Sequence, residues 1–239
     1  MHLFYTPELT PSTTTFTLSE EESKHCIRVL RLAVSDVIVL IDGRGGWHKA
    51  EIIDDNPKRC SVQIIDVKTE HKKRNHYLHI AIAPTKNMDR LEWFVEKATE
   101  IGIDEISIIE CKNSERTVVK NQRLHKVAIS AIKQSLKAYL PQVNELQNFK
   151  KFIATTANFK GQKFIAHCYH TDIKKHINEL YQKAQSVLIL IGPEGDFTLD
   201  EVEMAEAAGF KQISLGESRL RTETAALYAC TAINIRNEF

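Results

Sequence analysis

The sequence predicts an α/β protein in which a small β-barrel precedes a larger domain with a mostly parallel sheet. Three observations support this prediction. Short segments rich in β-branched and aromatic residues fill the first part of the chain, a polar and basic stretch follows, and strand and helix patterns then alternate. Such alternation is typical of a parallel sheet with helices on both faces. We therefore expect a β-barrel over residues 1–70, a linker over residues 71–76 and an α/β domain over residues 77–239.

The N-terminal part contains five predicted strands and one helix. The strands cover Leu3–Tyr5, Thr13–Leu18, Val37–Asp42, Trp47–Asp54 and Ser61–Lys68. Ser19 and Glu22 have the spacing of a capping box, which predicts a helix start, and the helical register continues to Arg31. Gly43–Gly46 joins two predicted strands. Because no helix follows and the third glycine of a dinucleotide-binding loop is missing, a hairpin turn is favoured.

The C-terminal part alternates strands and helices. The predicted strands are Tyr77–Ala83, Glu105–Glu110, Phe164–His167, Ser186–Ile191 and Gln212–Leu215. The predicted helices are Met88–Ile101, Gln122–Tyr139, Ile173–Gln182, Thr198–Ala208 and Thr222–Arg236. Gly102 closes the first helix, Pro141 follows the second, and Thr198 with Glu201 forms a capping box for the fourth.

The composition indicates a globular protein whose core needs no disulfide or metal for stability. Hydrophobic residues make up 43% and charged residues 26% of the chain, and the net charge is +1, so overall charge does not point to nucleic acid. The five scattered cysteines and ten histidines form no CxxC, HxxxH or HExxH pattern, which favours reduced thiols and no metal. No signal segment or membrane-spanning run is found, so we expect a cytoplasmic protein without membrane contact.

Two unusual loops near the C-terminus each follow an apolar run that predicts a buried strand. They cover residues 190–197 and 214–226. In the first, Pro193 fixes φ and Gly195 fits the last turn position, which leaves main-chain N–H and C=O groups exposed. Taken alone, each loop is best explained as a structural turn or a helix cap. Two such loops meeting at one end of a sheet would instead form a ligand site.

Seven segments, read together, change this interpretation. They are His25–Arg31, Lys97–Gly102, Asn113–Arg116, Gln134–Ser135, Leu140–Pro141, Ile191–Gly195 and Leu220–Ala225. In this combination the chain resembles the RsmE family of ribosomal RNA uridine N3-methyltransferases, and the last two segments are the most specific. The resemblance implies a C-terminal SPOUT-type trefoil-knotted α/β domain preceded by a PUA-like β-barrel that helps to hold RNA. It also implies a homodimer that binds S-adenosylmethionine in the knot.

The resemblance places the cofactor in the two loops. The implied cofactor-binding residues are Leu190, Ile191, Gly192, Pro193, Glu194, Gly195, Leu215, Gly216, Ser218, Leu220, Arg221, Thr222 and Thr224. One position departs from the family, which usually has a second glycine where this chain has Asp196. Because aspartate tolerates a left-handed backbone better than most residues, we expect the turn to be kept.

The chemistry of uracil N3 suggests which residues act in catalysis. Loss of the N3 proton spreads negative charge onto the two ring carbonyl oxygens, and donors aimed at these oxygens lower the barrier. Arg221 and Arg116 are therefore the first catalytic candidates, with Arg219 behind them. Glu194 is a further candidate that could orient a ribose or accept a proton, or serve only as a turn residue.

Basic residues predict how the substrate, 16S rRNA within the small ribosomal subunit, is held. His25, Arg28 and Arg31 recur at helical spacing, which suits either an RNA-facing stripe or a plain polar helix face. The RNA-binding candidates in the C-terminal domain are Lys86, Arg90, Arg116, Arg123 and Lys126. A paired uridine has its N3 engaged, so the target must be unpaired or pulled out of its helix.

Two other functions stay open at this point. A SPOUT enzyme that methylates ribose 2′-OH on tRNA or rRNA would have the same fold. A non-catalytic RNA-binding ribosome assembly factor would retain the fold without the activity. The intact Gly192–Gly195 and Leu220–Thr224 segments argue against the second, since a protein without cofactor could lose them freely.

Overall fold

The computed structural model describes residues 1–169 and 174–238, and the chain divides into two compact units. The first contains Met1–Lys73 and Ile132–Leu140, and the second contains Arg74–Ala131 and the chain from Pro141 onward. The domain boundaries proposed from the sequence stay a prediction. The sequence did not indicate that residues 132–140 belong with the first unit.

The first unit is a curled five-stranded sheet in the order β1-β3-β4-β5-β2. The strands are β1 (Leu3–Tyr5), β2 (Thr15–Thr17), β3 (Val37–Ile41), β4 (Trp47–Asp54) and β5 (Ser61–Lys68). β1 and β3 are parallel, and the other neighbours are antiparallel. All five predicted strands are present, although β2 is shorter than expected. Gly43–Gly46 lies in the hairpin turn between β3 and β4, as predicted.

Apolar side chains cover both faces of this sheet. The core on one face consists of Phe4, Leu9, Leu18, Cys26, Ile38, Leu40, Ala50, Ile52, Cys60 and Val62. On the other face, Leu3, Val39 and Ile41 pack against Ile132 and Ala138. This second contact explains why residues 132–140 cluster with the first unit, because strand side chains alternate between two faces and both faces here are apolar.

The helix predicted after Ser19 is shorter than expected and partly π-helical. It begins as α1 (Glu20–Lys24), with Ser19 as the N-cap, and continues as a π turn over His25–Val29. A π turn takes more residues per turn than an α-helix, so the α-helical register is lost there. Arg31 then adopts a left-handed backbone with φ of 58°. The prediction that the helical register continues to Arg31 is therefore wrong.

The second unit is a seven-stranded sheet in the order β10-β12-β9-β11-β6-β7-β8, and all neighbours are parallel. The strands are β6 (Leu78–Ile82), β7 (Glu105–Glu110), β8 (Gln142–Asn148), β9 (Gln162–Ala166), β10 (Lys175–His176), β11 (Val187–Ile191) and β12 (Lys211–Ser214). The helices are α2 (Met88–Ile101), α3 (Asn121–Gln134), α4 (Phe149–Thr155), α5 (Ile177–Leu180), α6 (Leu199–Ala207) and α7 (Thr222–Glu238).

Helices cover both faces of this parallel sheet, as the alternating pattern predicted. α7 packs against α2, β6 and β11 on one face, whereas α4 and α6 pack together on the other. The core beneath α4 and α6 includes Ala81, Ile109, Phe149, Phe152, Leu188, Leu190, Phe197, Val202 and Ala205. β11 lies between β9 and β6, so the strand that precedes the first motif loop is central and fully buried.

Predicted helix Gln122–Tyr139 is correct only as far as Gln134, where α3 ends. Leu136 adopts a left-handed backbone with φ of 54°, which a helix interior does not tolerate. The apolar side chains of Leu136, Tyr139 and Leu140 instead pack beside the core formed with Ile132. Tertiary packing therefore ends the helix before the Pro141 signal.

β8 and α4 were not predicted at all. β8 is an edge strand with an irregular mixture of polar and apolar residues, so its period-2 pattern is weak. α4 is capped by Asn148, whose side chain accepts a hydrogen bond from the N–H of Lys150 at 3.0 Å. The predicted helix Ile173–Gln182 is also largely wrong: β10 and the short α5 occupy its described part, and Ile173 lies outside the described residues.

Transmembrane helices, metal-binding clusters and disulfides are absent from the described residues. No helix within residues 1–169 and 174–238 is both long and apolar enough to cross a bilayer. The same residues contain no group of three or more His, Cys, Asp or Glu side chains able to hold a metal ion. The five cysteines, all within the described residues, form no disulfide.

Candidate active site

The two motif loops leave the parallel sheet at the same edge. Ile191 of β11 pairs in register with Ile82 of β6 and Ala166 of β9, and Ala166 also pairs with Ile213 of β12. Because the strands are parallel, the segments that follow them all begin at the carboxyl edge, where ligands bind in open α/β sheets. The described segments at this edge are 83–87, 111–120, 167–169, 192–198 and 215–221.

The first loop is a tight turn with little room for side chains. The N–H of Asp196 donates to the carbonyl of Pro193 at 2.9 Å. Asp196 has a left-handed φ of 63°, as expected for the position where the family usually has glycine. A Cβ atom on Gly192 would lie 3.0 Å from the ring of Phe197, so a larger residue there would push the buried ring aside.

The second loop has an open backbone. Gly216 has φ of 110°, a conformation that favours glycine, and a Cβ there would meet nothing within 4 Å. Its N–H donates to the hydroxyl of Ser214 at 3.1 Å. Arg219 and Arg221 are exposed, whereas Thr222 at the start of α7 is buried. The loop therefore presents main-chain groups and guanidinium groups beside a buried helix start.

Glu194 connects the first loop to the segment after β6. Its Oε1 accepts a hydrogen bond from the N–H of Lys86 at 3.0 Å. Its Oε2 is buried and has no hydrogen-bond partner among the described residues. Because an unsatisfied buried carboxylate oxygen is unfavourable, this position calls for a donor from a ligand or from water.

Glu223 presents the same situation at the end of the second loop. Its side chain is only 8% exposed, and its Oε1 lies 3.8 Å from Nε of Arg90. Within the described residues, its buried Oε2 also has no hydrogen-bond partner. Sequence reasoning named Thr222 and Thr224 as cofactor-binding residues and missed Glu223. The available signal was a carboxylate in the first turn of a helix that follows a glycine-bearing loop.

Arg116 also holds the segment after β6, through its main-chain carbonyl groups. Its Nη2 donates to the carbonyl of Lys86 at 2.6 Å, and its Nε lies 3.2 Å from the carbonyls of both Thr85 and Lys86. The ammonium group of Lys86 pairs with Glu115 at 2.8 Å. The structure thus brings the sequence-predicted residues Arg116, Lys86 and Glu194 together in one hydrogen-bonded group.

Asn113 fixes the end of the first loop. Its Nδ2 donates to the carbonyl of Gly195 at 3.0 Å and to that of Asp196 at 3.1 Å. A Cβ on Gly195 would lie 3.1 Å from the Cβ of Asn113, so the two segments are in close contact. Sequence reasoning included Asn113 in a family segment without giving it a role, because the residues it contacts are more than eighty positions away in the chain.

The segment after β9 also contacts the first loop. The N–H of Cys168 donates to Oδ2 of Asp196 at 2.7 Å, and the hydroxyl of Tyr169 donates to the carbonyl of Phe197 at 2.8 Å. Burial, and then the neighbouring Asp196 carboxylate, raise the pKa of the Cys168 thiol. A raised pKa lowers the fraction of reactive thiolate. The contact that Cys168 makes with the first loop is its main-chain N–H.

The other basic candidates lie elsewhere in the two units. In the second unit, exposed Arg123 pairs with Glu92 at 2.6 Å, and Lys126 is exposed one turn further along α3. In the first unit, Arg28 and Arg31 are exposed and His25 is half-buried. Because Arg31 lies beyond the π turn, these three residues do not form the single helical stripe that their spacing indicated.

Comparisons with known proteins agree with this geometry. A model of an RNA methyltransferase domain matches residues 72–234, and a model of an RNA methyltransferase PUA domain matches residues 18–65. The chain belongs to the RNA methyltransferase family. The expected fold class, a SPOUT-type α/β domain after a PUA-like barrel, is thereby confirmed, as is the resemblance to the RsmE family. The trefoil knot that the resemblance implies stays a prediction.

Three relatives illustrate how far the family similarity extends. The ribosomal RNA small subunit methyltransferase E of Bacillus subtilis is 28% identical over 236 residues, with 94% of this chain and 91% of that protein covered. The crystal structure of a probable rRNA-methyltransferase from Porphyromonas gingivalis is 41% identical, with a TM-score of 0.90, and the alignment covers 100% of this chain and 99% of that chain. The crystal structure of a ribosomal RNA small subunit methyltransferase E from Neisseria gonorrhoeae, bound to S-adenosyl methionine, is 27% identical, with a TM-score of 0.82. The alignment covers 98% of this chain and 97% of that chain.

Proposed function

We propose that this chain transfers a methyl group from S-adenosylmethionine to N3 of a specific uridine in 16S ribosomal RNA during maturation of the small ribosomal subunit. The observation that carries the proposal is the carboxyl edge of the parallel sheet, where each motif loop carries a carboxylate with an unpartnered buried oxygen. Family membership and the small-subunit methyltransferases among the relatives support the same activity.

The residues at this edge fit S-adenosylmethionine. The ligand has an ammonium group, ribose hydroxyls and an adenine amino group, all of which donate hydrogen bonds. The free oxygens of Glu194 and Glu223 are suitable acceptors for such donors. The open backbone at Gly216 lets main-chain groups approach a ligand closely. We therefore assign cofactor binding to Leu190–Gly195 and Leu215–Thr224.

Arg221 is the proposed catalytic donor. Bound S-adenosylmethionine supplies a methyl group that is already electrophilic, because it is attached to a sulfonium. The protein's task is then to hold the uracil in line and to stabilise the charge that loss of the N3 proton places on the ring carbonyls. Arg221 is exposed directly before α7, and its guanidinium presents hydrogen-bond donors on a positively charged group. Arg219 is exposed in the same loop and is the second candidate.

Arg116 and Glu194 have supporting roles in this proposal. Because Nε and Nη2 of Arg116 donate to the carbonyls of residues 85 and 86, Arg116 positions that segment rather than the substrate. Glu194 holds the same segment through Oε1 and orients a ribose hydroxyl of the cofactor through Oε2. The two side chains therefore fix a wall of the site, and Arg221 acts on the target base.

RNA binding is assigned to the basic residues named above in both units. Lys86 pairs with Glu115 across an exposed contact, with Lys86 74% exposed, and exposed ion pairs contribute little to stability. An RNA phosphate can therefore displace Glu115 at small cost. Arg90, Arg123 and Lys126 supply further positive charge, and His25, Arg28 and Arg31 do so in the first unit. Such contacts position RNA without reading its sequence.

The protein is proposed to work as a homodimer in the cytoplasm, on the small ribosomal subunit. Support for the dimer comes from α7, whose surface includes Tyr228 at 39% and Ile235 at 51% exposure. A shallow cavity of about 390 Å³ lies beside these residues and is lined by Asn178, Tyr228, Thr231, Ala232, Ile235 and Arg236. Exposed apolar residues grouped around a cavity are typical of an interaction surface.

One experiment tests the reaction and the substrate together. The full-length protein is incubated with methyl-labelled S-adenosylmethionine and, in separate reactions, with small ribosomal subunits, free rRNA or tRNA. The labelled RNA is digested and its nucleosides are separated. We expect labelled N3-methyluridine in the small-subunit reaction, together with a reverse-transcription stop at one position, because methylated N3 cannot pair.

The other outcomes contradict the proposal in different ways. Label on a ribose 2′-OH would identify the chain as a ribose methyltransferase. Label in tRNA alone would overturn the rRNA substrate. No transfer to any RNA, together with RNA binding that S-adenosylmethionine does not affect, would instead favour the non-catalytic assembly factor.

A further inference from the structure

This chain has Asp196 at a position where the family usually has glycine, and a glycine could adopt the same backbone conformation. Its φ of 63° lies in the left-handed region that favours glycine, and its N–H closes the turn onto the carbonyl of Pro193 at 2.9 Å. The backbone conformation alone therefore gives no reason for an aspartate. Any advantage of the side chain must come from its carboxylate.

Both carboxylate oxygens of Asp196 accept main-chain hydrogen bonds. Oδ1 accepts from the N–H of Phe197 at 2.8 Å, within the same loop. Oδ2 accepts from the N–H of Cys168 at 2.7 Å, in the segment after β9. Hydrogen bonds to an ionised acceptor are about twice as strong as those between neutral groups. Asp196 therefore joins two segments that leave neighbouring strands of the sheet.

The link to Cys168 is not needed to satisfy a buried group. Cys168 is exposed, so its N–H would bond to water if the carboxylate were absent. What the carboxylate adds is a fixed distance between the two segments. The hydroxyl of Tyr169, which donates to the carbonyl of Phe197 at 2.8 Å, is a second link between the same segments. Asn113 holds the opposite side of the loop through the carbonyl of Asp196 at 3.1 Å.

We infer that Asp196 is a positioning residue of the methyl-donor site: its carboxylate holds the segment His167–Tyr169 against the first motif loop and so fixes the spacing of these two segments at the carboxyl edge of the sheet. This inference rests on the proposed function, because it takes the first loop to bind S-adenosylmethionine. The two segments are already joined before a ligand binds, so less conformational freedom is lost on binding.

Three variants separate this role from the alternatives. Asp196→Gly keeps the backbone conformation and removes both hydrogen bonds. Asp196→Asn keeps an acceptor oxygen and removes the charge. Tyr169→Phe removes only the second link. Asp200→Asn is the matched control, since Asp200 is an exposed aspartate in the first turn of α6. For each full-length protein the melting temperature and the calorimetric Kd values for S-adenosylmethionine and S-adenosylhomocysteine are measured.

The expected result is a binding defect without a folding defect. Asp196→Gly should weaken the binding of both ligands by about ten-fold, the value of one lost hydrogen bond to a charged group, while the protein still unfolds in one cooperative transition. Asp196→Asn has a single acceptor oxygen, which can keep the bond to Cys168 but not that to Phe197 as well, so it should recover part of the affinity for both ligands. Tyr169→Phe should weaken the binding of both ligands by less than Asp196→Gly does, and the control should match the unmodified protein. At saturating donor, the kcat of Asp196→Gly should stay close to that of the unmodified protein.

Two results would overturn the inference. If Asp196→Gly binds both ligands as tightly as the unmodified protein, the link has no role in binding. If Asp196→Asn and Asp196→Gly both lose affinity for S-adenosylmethionine but not for the uncharged sulfide, the carboxylate acts through its charge on the sulfonium and not through position. The inference rests only on the cofactor-binding part of the proposed function. Failure of that part is distinguishable from both results, because the unmodified protein would then bind neither ligand.

Discussion

The Glu194 carboxylate accepts a hydrogen bond from the main-chain N–H of Lys86 at 3.0 Å and so joins the loop after β11 to the segment after β6. These two strands are neighbours in the sheet but lie more than a hundred residues apart in the chain. The same segment is held on its carbonyl side by the guanidinium of Arg116. Both the donor and the acceptor groups of this backbone are thus bound by side chains of the candidate site.

Replacing Glu194 should therefore weaken cofactor binding. Glu194→Gln keeps an acceptor for Lys86 but replaces part of the carboxylate with a donor, so we expect about a ten-fold loss in affinity for S-adenosylmethionine, the value of one hydrogen bond to a charged group. Glu194→Ala should lose more, because the N–H of Lys86 is released as well. Calorimetry measures both. Glu115→Gln is the control, since Glu115 is exposed and pairs with the exposed ammonium group of Lys86.

If Glu194→Gln binds the cofactor as well as the unmodified protein, Glu194 is only a turn residue. The affinity of Glu115→Gln for S-adenosylmethionine then shows whether loss of the other carboxylate near Lys86 affects cofactor binding.

Arg221 should affect the rate of methyl transfer more than RNA binding. Removing one preorganised donor to a developing oxyanion lowers kcat by roughly 100-fold or more, and we expect Arg221→Ala to fall in this range. The Kd for small-subunit RNA, measured by filter binding, should change by less than about three-fold, because a single exposed ion pair between an arginine and an RNA phosphate contributes little to binding. Arg219→Ala is the comparison, as Arg219 is exposed in the same loop. A collapse of RNA binding with an unchanged kcat would contradict the proposed role.

Replacing Asn113 with aspartate, which has nearly the same shape, should weaken the binding of S-adenosylmethionine. Asn113→Ala removes the donor to the carbonyls of Gly195 and Asp196. Asn113→Asp has the same shape but, when ionised, accepts only, so it places a carboxylate against two carbonyl oxygens. We expect the aspartate variant to bind S-adenosylmethionine more weakly than the alanine variant, by at least about five-fold. Equal affinities for the two variants would show that Asn113 only fills space.

Sequence patterns predicted those elements whose local signals agree with their tertiary environment. Helix Met88–Ile101 was predicted to the residue, because its apolar face and its closing Gly102 are both local features. β4, β5 and β7 were also predicted to the residue. β8 was missed because it is a polar edge strand. The predicted α3 was too long because the left-handed conformation of Leu136 depends on tertiary packing, which has no local sequence signal.

The candidate site was predictable in part for the same reason. The two motif loops carry local turn signals, and their meeting at one sheet edge follows from a parallel topology. The links between segments, such as Asn113 to Gly195 and Cys168 to Asp196, depend on which strands are neighbours. A single sequence carries no signal for strand order, so these contacts were not predictable.

The α7 surface should mediate dimer formation. Ile235→Glu places a charge on the exposed apolar surface beside the cavity, and a buried unpaired charge is strongly unfavourable at an interface. We expect the unmodified protein to sediment as a dimer at micromolar concentration and the variant as a monomer. Leu199→Glu is the matched control, because Leu199 is 59% exposed at the start of α6. A monomeric unmodified protein, or dimers of both variants, would contradict this assignment.

Stability should decrease as the pH falls below neutrality, and His79 should account for part of the decrease. His79 is 6% exposed, its Nε2 lies 2.8 Å from Oγ of Ser107, and its Nδ1 lies 3.6 Å from Oε2 of Glu105. Burial lowers the pKa of His79 below its ordinary value of 6.5, although Glu105 opposes the shift. Below that ordinary value the unfolded chain therefore binds a proton that the folded protein does not. Stability contributed by neutral His79 is thus complete above pH 6.5 and is lost as the pH falls toward the lower folded-state pKa.

Urea unfolding at pH 7.5 and pH 5 measures this effect. His79→Gln keeps an amide that can contact Ser107 but does not titrate, so its loss of stability between the two pH values should be smaller by about 1 kcal/mol or more. The control His125→Gln, at an exposed position on α3, should lose as much stability as the unmodified protein. If His79→Gln shows the same pH dependence as the unmodified protein, the decrease comes from other groups. His48, His76 and His167 are the next candidates, because burial also lowers their pKa values.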